Sequence, residues 1–359
     1  MGGAAVPVAR EGVVTVRSLP PFPQGWFAVG FADELQPGEV LTRAFMGGEL
    51  VLFRTEAGVA AASNPWCPHL GTHLGQGRVE DGTLRCPLHG FRFGTDGACV
   101  ATGQGTRPPP RARLAMRPLR EVNGLLLVWH DPLGVAPVWE PPAVPAENFT
   151  PLATAIFYLP AHPQDTTESG VDFHRLTTLH GHQNVSSTAP VEFDGPHFRA
   201  RYALRRDTGL FGRGSRAVRM EFAVEAWGLG YSRVDVSAAG PGLFLRHFVL
   251  ATPTSEGQMD LRIGVSLRRD FAPGRVHPML GLMPRGRAER VVLRRALQSF
   301  VQDLQRDFAI WSRKTHLDRP ALADGEAALA RFRHWTRQFY PAYGLPTGRH
   351  DRIAREKKA

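Results

Sequence analysis

From Gly25 to His130 the apolar positions come in short bursts separated by glycine-containing turns. Trp26-Phe27-Ala28-Val29, Glu49 to Phe53, Val59 to Ala62 and Leu125 to Trp129 each have the length and composition of a strand. The pattern predicts an all-β unit. Six prolines follow, at 132, 137, 141, 142, 145 and 151. Such a stretch stays extended and marks a boundary. Beyond it the pattern changes. Asp165 to His182 reads as helical, with a start at Thr166 to Glu168. Long alternating runs then predict strands at His197–Leu204, Ala217–Ala226, Ser232–Val236, Leu243–Ala251 and Met259–Leu267. From Arg287 to Lys314, apolar residues at 293, 297, 300, 304, 308 and 311 keep helical spacing over many turns. A leading helix, an antiparallel sheet and a long closing helix make an α+β fold. The expected organisation is a loose lead-in to about residue 21, a β domain over 22–132, a Pro-rich linker over 133–151 and a second domain over 152–345.

A chain of 359 residues, 43% hydrophobic, has material for about two cores. The net charge of +10 comes from scattered Lys and Arg with no run of five, so nucleic acid is not favoured. Arg205-Arg206 and the Arg216 to Arg219 cluster read as solvated strand edges, one of which is a candidate docking face for an acidic redox protein. Three cysteines exclude a disulfide framework. Met1 to Arg10 has no charged start followed by an apolar stretch, and no apolar run reaches 18 residues. A cytoplasmic protein with no transmembrane segment is expected.

Two of the three cysteines sit beside histidines. The chain reads Cys67-Pro-His69, then sixteen residues, then Cys86-Pro-Leu-His89-Gly90. Two thiolates and two imidazoles on paired tight loops suit a [2Fe–2S] cluster in which histidines replace the cysteines on one iron. The alternative is a Cys₂His₂ zinc site, but zinc fingers usually place both cysteines in one half and both histidines in the other. His73 reads as a hydrogen-bonding or surface histidine, and Cys99 as a small apolar residue.

Residues 22 to 130, with the His89-Gly90-Phe91-Arg92-Phe93 and Asp96-Gly97 stretches, resemble the Rieske domain of the Rieske non-haem iron oxygenases. Thr72 stands where the respiratory Rieske proteins carry an extra cysteine, which favours the oxygenase type. The resemblance implies a second cofactor, a mononuclear Fe(II) on two histidines and a carboxylate, in a helix-grip catalytic domain. The family's histidine segment resembles E-N-x-x-D-x-x-H-F-x-x-x-H-G. Here Glu168, Asp172, His180 and Gly181 match it, while Ser169 replaces Asn and Arg175 stands at the first ligand position, with His174 one place early. Three readings are open: a local shift that makes His174 the partner of His180, His182 as a replacement, or a remodelled site. A guanidinium has no lone pair to give a metal. Asp307 lies on the apolar stripe of the predicted long helix, where a carboxylate is costly unless it is metal-bound or ion-paired with an Arg; Asp303 is the lesser candidate.

Asp307-Phe-Ala-Ile310-Trp311, Arg333-His-Trp335 and Gln338-Phe339-Tyr340 resemble the 3-ketosteroid 9α-hydroxylase and cholesterol 7-desaturase subgroup. The resemblance implies a terminal oxygenase that takes electrons from a ferredoxin or flavin reductase, forms homotrimers, and hydroxylates or desaturates a hydrophobic sterol or steroid. Asp172 matches the carboxylate that bridges one chain's His89 to its neighbour's iron ligand. Phe193, Phe198, Phe222, Trp227, Phe244 and Phe248 are candidates for a substrate cavity or for plain core. The alternatives are an oxygenase of a small aromatic or methylated amine, and a Rieske electron-transfer protein with a degenerate iron site.

Overall fold

The computed structural model describes residues 19–206, 218–238, 240 and 242–341. The lead-in before residue 19 and Arg216 lie outside the described residues. Three small antiparallel sheets build the N-terminal part. One pairs Gly25–Phe31 with Leu125–His130 and Leu119–Val122, so the start and end of the domain close on each other. A second carries Val40–Phe45, Gly48–Arg54, Ala60–Ser63 and Met116–Arg117. The third, Arg78–Glu80, Thr83–Arg85, Arg92–Phe93 and Cys99–Ala101, holds one of the two Cys/His loops between its second and third strands.

The C-terminal part is one seven-stranded antiparallel sheet. Its last six strands, Gln183–Asp194, His197–Arg206, Val218–Trp227, Tyr231–Ala238, Leu243–Ser255 and Gln258–Leu267, pair as successive hairpins, and Ala153–Leu159 closes on the last of them. Side chains on a strand alternate between faces, and both faces here are covered. Leu243, Leu245, Ala251, Leu261, Ile263 and Val265 join a core with Val292, Ala296, Leu304 and Trp311 of the long helix Arg285–Trp311. The intervening Phe248 and Leu250 instead pack with Trp26, Phe31, Leu127 and Trp129 of the N-terminal domain. Thr252 Oγ1 and Arg262 Nη1 both donate to the Ala28 carbonyl, at 2.8 and 3.3 Å, so the domain contact is hydrogen-bonded as well as apolar. At Gly230 a Cβ would lie 2.4 Å from the Phe27 ring, which is why the domains can approach there.

The expected helix over Asp165–His182 is two short helices, Pro163–Glu168 and His174–Thr178. The break falls at Ser169-Gly170. A Cβ on Gly170 would stand 3.0 Å from Phe198 and 3.1 Å from Val224, so the chain bends where it presses on the sheet. Gly181, at φ +70°, ends the segment in the left-handed conformation glycine favours. The strands Ala153–Leu159 and Gln183–Asp194, on the two edges of the sheet, were not evident in the alternation. Among the described residues no helix is long and apolar enough to cross a membrane.

Candidate cluster and carboxylate–histidine sites

The two Cys/His loops are built alike. Gly71 N–H donates to the Cys67 carbonyl at 2.9 Å and Gly90 N–H to the Cys86 carbonyl at 3.1 Å. Each closes a turn of five residues, with glycine at positive φ, 74° and 68°. Across the loop mouths Cys67 N–H donates to Thr72 O and Cys86 N–H to Phe91 O. Gly103 packs under the second loop, where a Cβ would lie 2.2 Å from the His89 carbonyl.

This places the four expected ligands together. Cys67 and Cys86 are both buried, with their thiols in contact. The rings of His69 and His89 meet edge to face at 4.7 Å, and both residues reach the surface. Burial pushes the Cys67 thiol up to about 11, against a lowering hydrogen bond from the His69 backbone, with the Cys86 thiol adding to the rise. A buried Cys67 thiol that resists ionisation is poorly suited to water alone; a bound cation reverses that, because a metal-coordinated thiol is deprotonated outright. The donor set fits a [2Fe–2S] cluster. Such a cluster takes two protein ligands per iron, a pair of thiolates on one and a pair of imidazoles on the other. His73 accepts from Gly75 N–H and meets Glu49 through its other nitrogen at 3.3 Å.

In the second domain, His180 and Asp307 come together, both buried, with His180 Nε2 3.4 Å from Asp307 Oδ1. His174 does not join them: it lies exposed on the first turn of its helix. Arg175 enters instead. Its Nη1 donates to Asp307 Oδ1 and Oδ2 at 2.7 and 2.9 Å and stands 2.9 Å from His180 Nε2. Its Nε and Nη2 are held from behind by the Ser169 carbonyl, at 3.3 and 3.1 Å. A guanidinium only donates, so His180 must accept at Nε2 and carry its proton on Nδ1. That buried Nδ1 has no hydrogen-bond partner. Asp307 is therefore ion-paired, the alternative that its place on the stripe left open. The donor chemistry of His180 and Asp307 suits two positions of a metal site, but the arrangement seen, with a cation bonded to both, does not form a three-donor site.

Asp172 is half-exposed and accepts from the Arg175 N–H at 3.4 Å. Asp303 pairs with Arg206 rather than with His180. His182 stacks on His180 at 5.8 Å, and burial with the Arg206 charge pushes it down to about 4. Tyr202, which sequence gave no reason to select, lies in the field of Arg175 and Asp307; burial holds its hydroxyl neutral, up to about 12.

A narrow apolar cavity of about 80 Å³ lies between the sheet and the long helix and opens toward solvent. Met220, Phe222, Val236, Leu245, Ala296 and Phe300 form much of its wall. Phe222 also stacks on Tyr202 at 4.7 Å. Arg206 lines both this cavity and the polar cleft that holds His180 and His182. Of the six aromatics considered for a cavity, Phe222 lines this one, while Phe193 and Phe198 pack with Trp335, and Phe248 faces the N-terminal domain.

Comparison with known proteins agrees with these two halves. Residues 25–115 match the Rieske [2Fe–2S] domain, and residues 128–340 the 3-ketosteroid 9α-hydroxylase C-terminal domain. The chain is 29% identical over 345 residues to a cholesterol 7-desaturase of Bombyx mori, covering 91% of this chain and 71% of that one. It is 25% identical over 332 residues to a probable 3-ketosteroid-9-alpha-monooxygenase oxygenase component of Rhodococcus rhodochrous, covering 89% and 80%. A crystal structure of dicamba monooxygenase with non-heme iron and dicamba shares the fold, with a TM-score of 0.61 at 20% identity over 91% of this chain and all of that one (100%). The C-terminal match alone spans more than half of the sequence, and with the Rieske match before it the conclusion is direct: this chain belongs to the Rieske oxygenase family of oxidoreductases whose second domain is of the 3-ketosteroid 9α-hydroxylase type.

Proposed function

We propose that the chain is the terminal component of a multicomponent Rieske system that oxidises a sterol or steroid with O₂ and two electrons. The observation that carries this reading is the apolar cavity between sheet and long helix, whose wall reaches His180 and Asp307 through Arg206, Phe222 and Tyr202. A rigid apolar skeleton suits that wall. The relatives with sterol and steroid names support the substrate class. Either outcome balances: hydroxylation of a C–H bond takes O₂, two electrons and two protons and releases one water; desaturation takes the same and releases two.

Cys67, His69, Cys86 and His89 would hold the cluster, which supplies one-electron transfer when bound. Cys67→Ser and Cys86→Ser should each remove its visible absorbance; a variant that keeps it removes that residue from the ligand set. The His69 and His89 edge lies beside Trp66, Leu70 and Leu88, which are 57, 69 and 60% exposed. Large apolar residues around a redox edge suit docking of a ferredoxin or flavin reductase, and of a neighbouring chain in a trimer. Asp172 is half-exposed, as a carboxylate bridging to that neighbour would have to be. A cluster held by cysteine thiolates suits a reducing, cytoplasmic setting.

The test is turnover of the full chain with NADH, a ferredoxin and its reductase, against cholesterol and 3-ketosteroids, with products read by mass. A gain of one oxygen or a loss of two hydrogens is expected. Failure of any steroid to bind, or to speed reoxidation of the reduced cluster, rejects the substrate class. Arg175 favours a second reading, a Rieske electron carrier with a remodelled second site. That reading predicts a cluster that cycles with no organic product.

A further inference from the structure

The family's second site calls for a cation between two histidines and a carboxylate. This chain lacks the first histidine and puts its own cation there. We propose that Arg175 is a resident cation at the His180–Asp307 pair, and that its guanidinium and a divalent transition metal ion compete for the same two ligands.

The competition is atom for atom. Nη1 takes both Asp307 oxygens and stands 2.9 Å from His180 Nε2, whose lone pair it uses. A metal ion would need that lone pair and at least one of those oxygens, at ~2.0–2.2 Å. The two cannot be bound together. The guanidinium is not a side chain caught in passing. Two bonds to the Ser169 carbonyl fix its far side, and the Asp172 carboxylate caps its backbone N–H. Charge favours the exchange as well. Asp307 with Arg175 is a neutral pair. Adding a dication while Arg175 stayed would leave two positive charges in excess, in a cleft also lined by Arg205, Arg206 and Arg306 and by Asp303 alone as carboxylate. A metal therefore enters only when Arg175 leaves, and His182, stacked on His180 at 5.8 Å, is a further donor on the same segment.

This inference does not depend on the substrate, and its test contains no turnover. Cluster-loaded full chain is equilibrated anaerobically with ferrous ion, gel-filtered, and assayed for iron per chain and for the EPR signal of the nitric oxide adduct of mononuclear Fe(II). Wild type should lose the third iron on gel filtration and give the adduct signal only with ferrous ion in excess, the condition that turnover by the wild-type chain then requires. Arg175→His, which restores a donor, should keep three and give the signal; Arg175→Ala should bind ferrous ion at least ten-fold more tightly than wild type. Adding Asp307→Asn to either variant should abolish the gain. Wild type that keeps a full third iron and the adduct signal after gel filtration overturns the proposal without any variant. So does an Arg175→His protein with an intact cluster and wild-type melting that gains no metal.

Discussion

Glu168 matches the family's histidine segment, but its surroundings give it a structural task that can be weighed. Its buried carboxylate receives Lys314 Nζ on Oε1 at 2.7 Å, Arg333 Nε on Oε2 at 2.8 Å and Arg333 Nη2 on Oε1 at 3.1 Å. These bonds clasp the helix Pro163–Glu168 to the segment after the long helix and to the helix Ala327–Trp335. The next residue, Ser169, is the one whose carbonyl holds Arg175. Burial alone would raise the Glu168 carboxyl, but Lys314 and Arg333 outweigh it and hold it below its ordinary 4.5, so it is charged at neutral pH. Glu168→Gln keeps the shape and removes the charge. The amide keeps the two contacts on Oε1 as weaker bonds from cationic donors to a neutral acceptor. It loses the third, and turns its NH₂ toward Arg333 Nε. Removing one partner from a buried pair costs ~3–5 kcal/mol. The loss here is smaller because Lys314 keeps Asp165 at 3.1 Å and is 28% exposed, which leaves about 2–3 kcal/mol. At ~2–4 °C per kcal/mol for a domain of this size, the second domain should melt ~4–12 °C lower. Calorimetry at pH 7.5 measures this, with cluster absorbance reporting on the first domain. A depressed carboxylate contributes fully above its unfolded value and loses that contribution as pH falls through its folded one. The gap between Glu168 and the variant should therefore be complete above about pH 4.5 and close below it. A change under 1 °C, or a gap that persists in acid, refutes the clasp.

Two further outcomes follow from the second domain. Ala296 is buried on the long helix where it faces the cavity, so Ala296→Phe should fill that space and weaken steroid binding at least ten-fold while leaving the cluster spectrum unchanged; binding of normal strength would mean that the ligand sits elsewhere. His247, in the same wall, is held down to about 4 from 6.5, chiefly by burial. Its neutral form is favoured in the fold, so between pH 6.5 and 4 only the unfolded chain takes the proton, and stability falls by about 3 kcal/mol over that window. His247→Gln should flatten the melting temperature between pH 7.5 and 4.5; parallel curves would clear His247 of the effect.

The two sites differ in how much of them a sequence can disclose, and the reason is distance along the chain. Each cluster loop is complete within five residues, from Cys67 to Gly71 and from Cys86 to Gly90, so its ligand, its turn and its glycine are read together. The strands of the second domain were legible for a similar reason, since alternation is local and both faces of the sheet are buried. What escaped was tertiary. The break at Gly170 depends on Phe198 and Val224, strands away, and the edge strand Gln183–Asp194 has little to alternate, with most of its side chains exposed. The sequence showed that Arg175 displaced a histidine, and that Asp307 needed either a metal or an arginine. It could not show that one fact answers the other, because they lie 132 residues apart. A buried carboxylate must have a positive partner. Where a metal-binding histidine is replaced by arginine, one residue removes a ligand and supplies the charge that the ligand was there to hold. That substitution keeps the fold neutral at the site, so the rest of the domain, cavity included, can persist whether or not a metal ion ever enters.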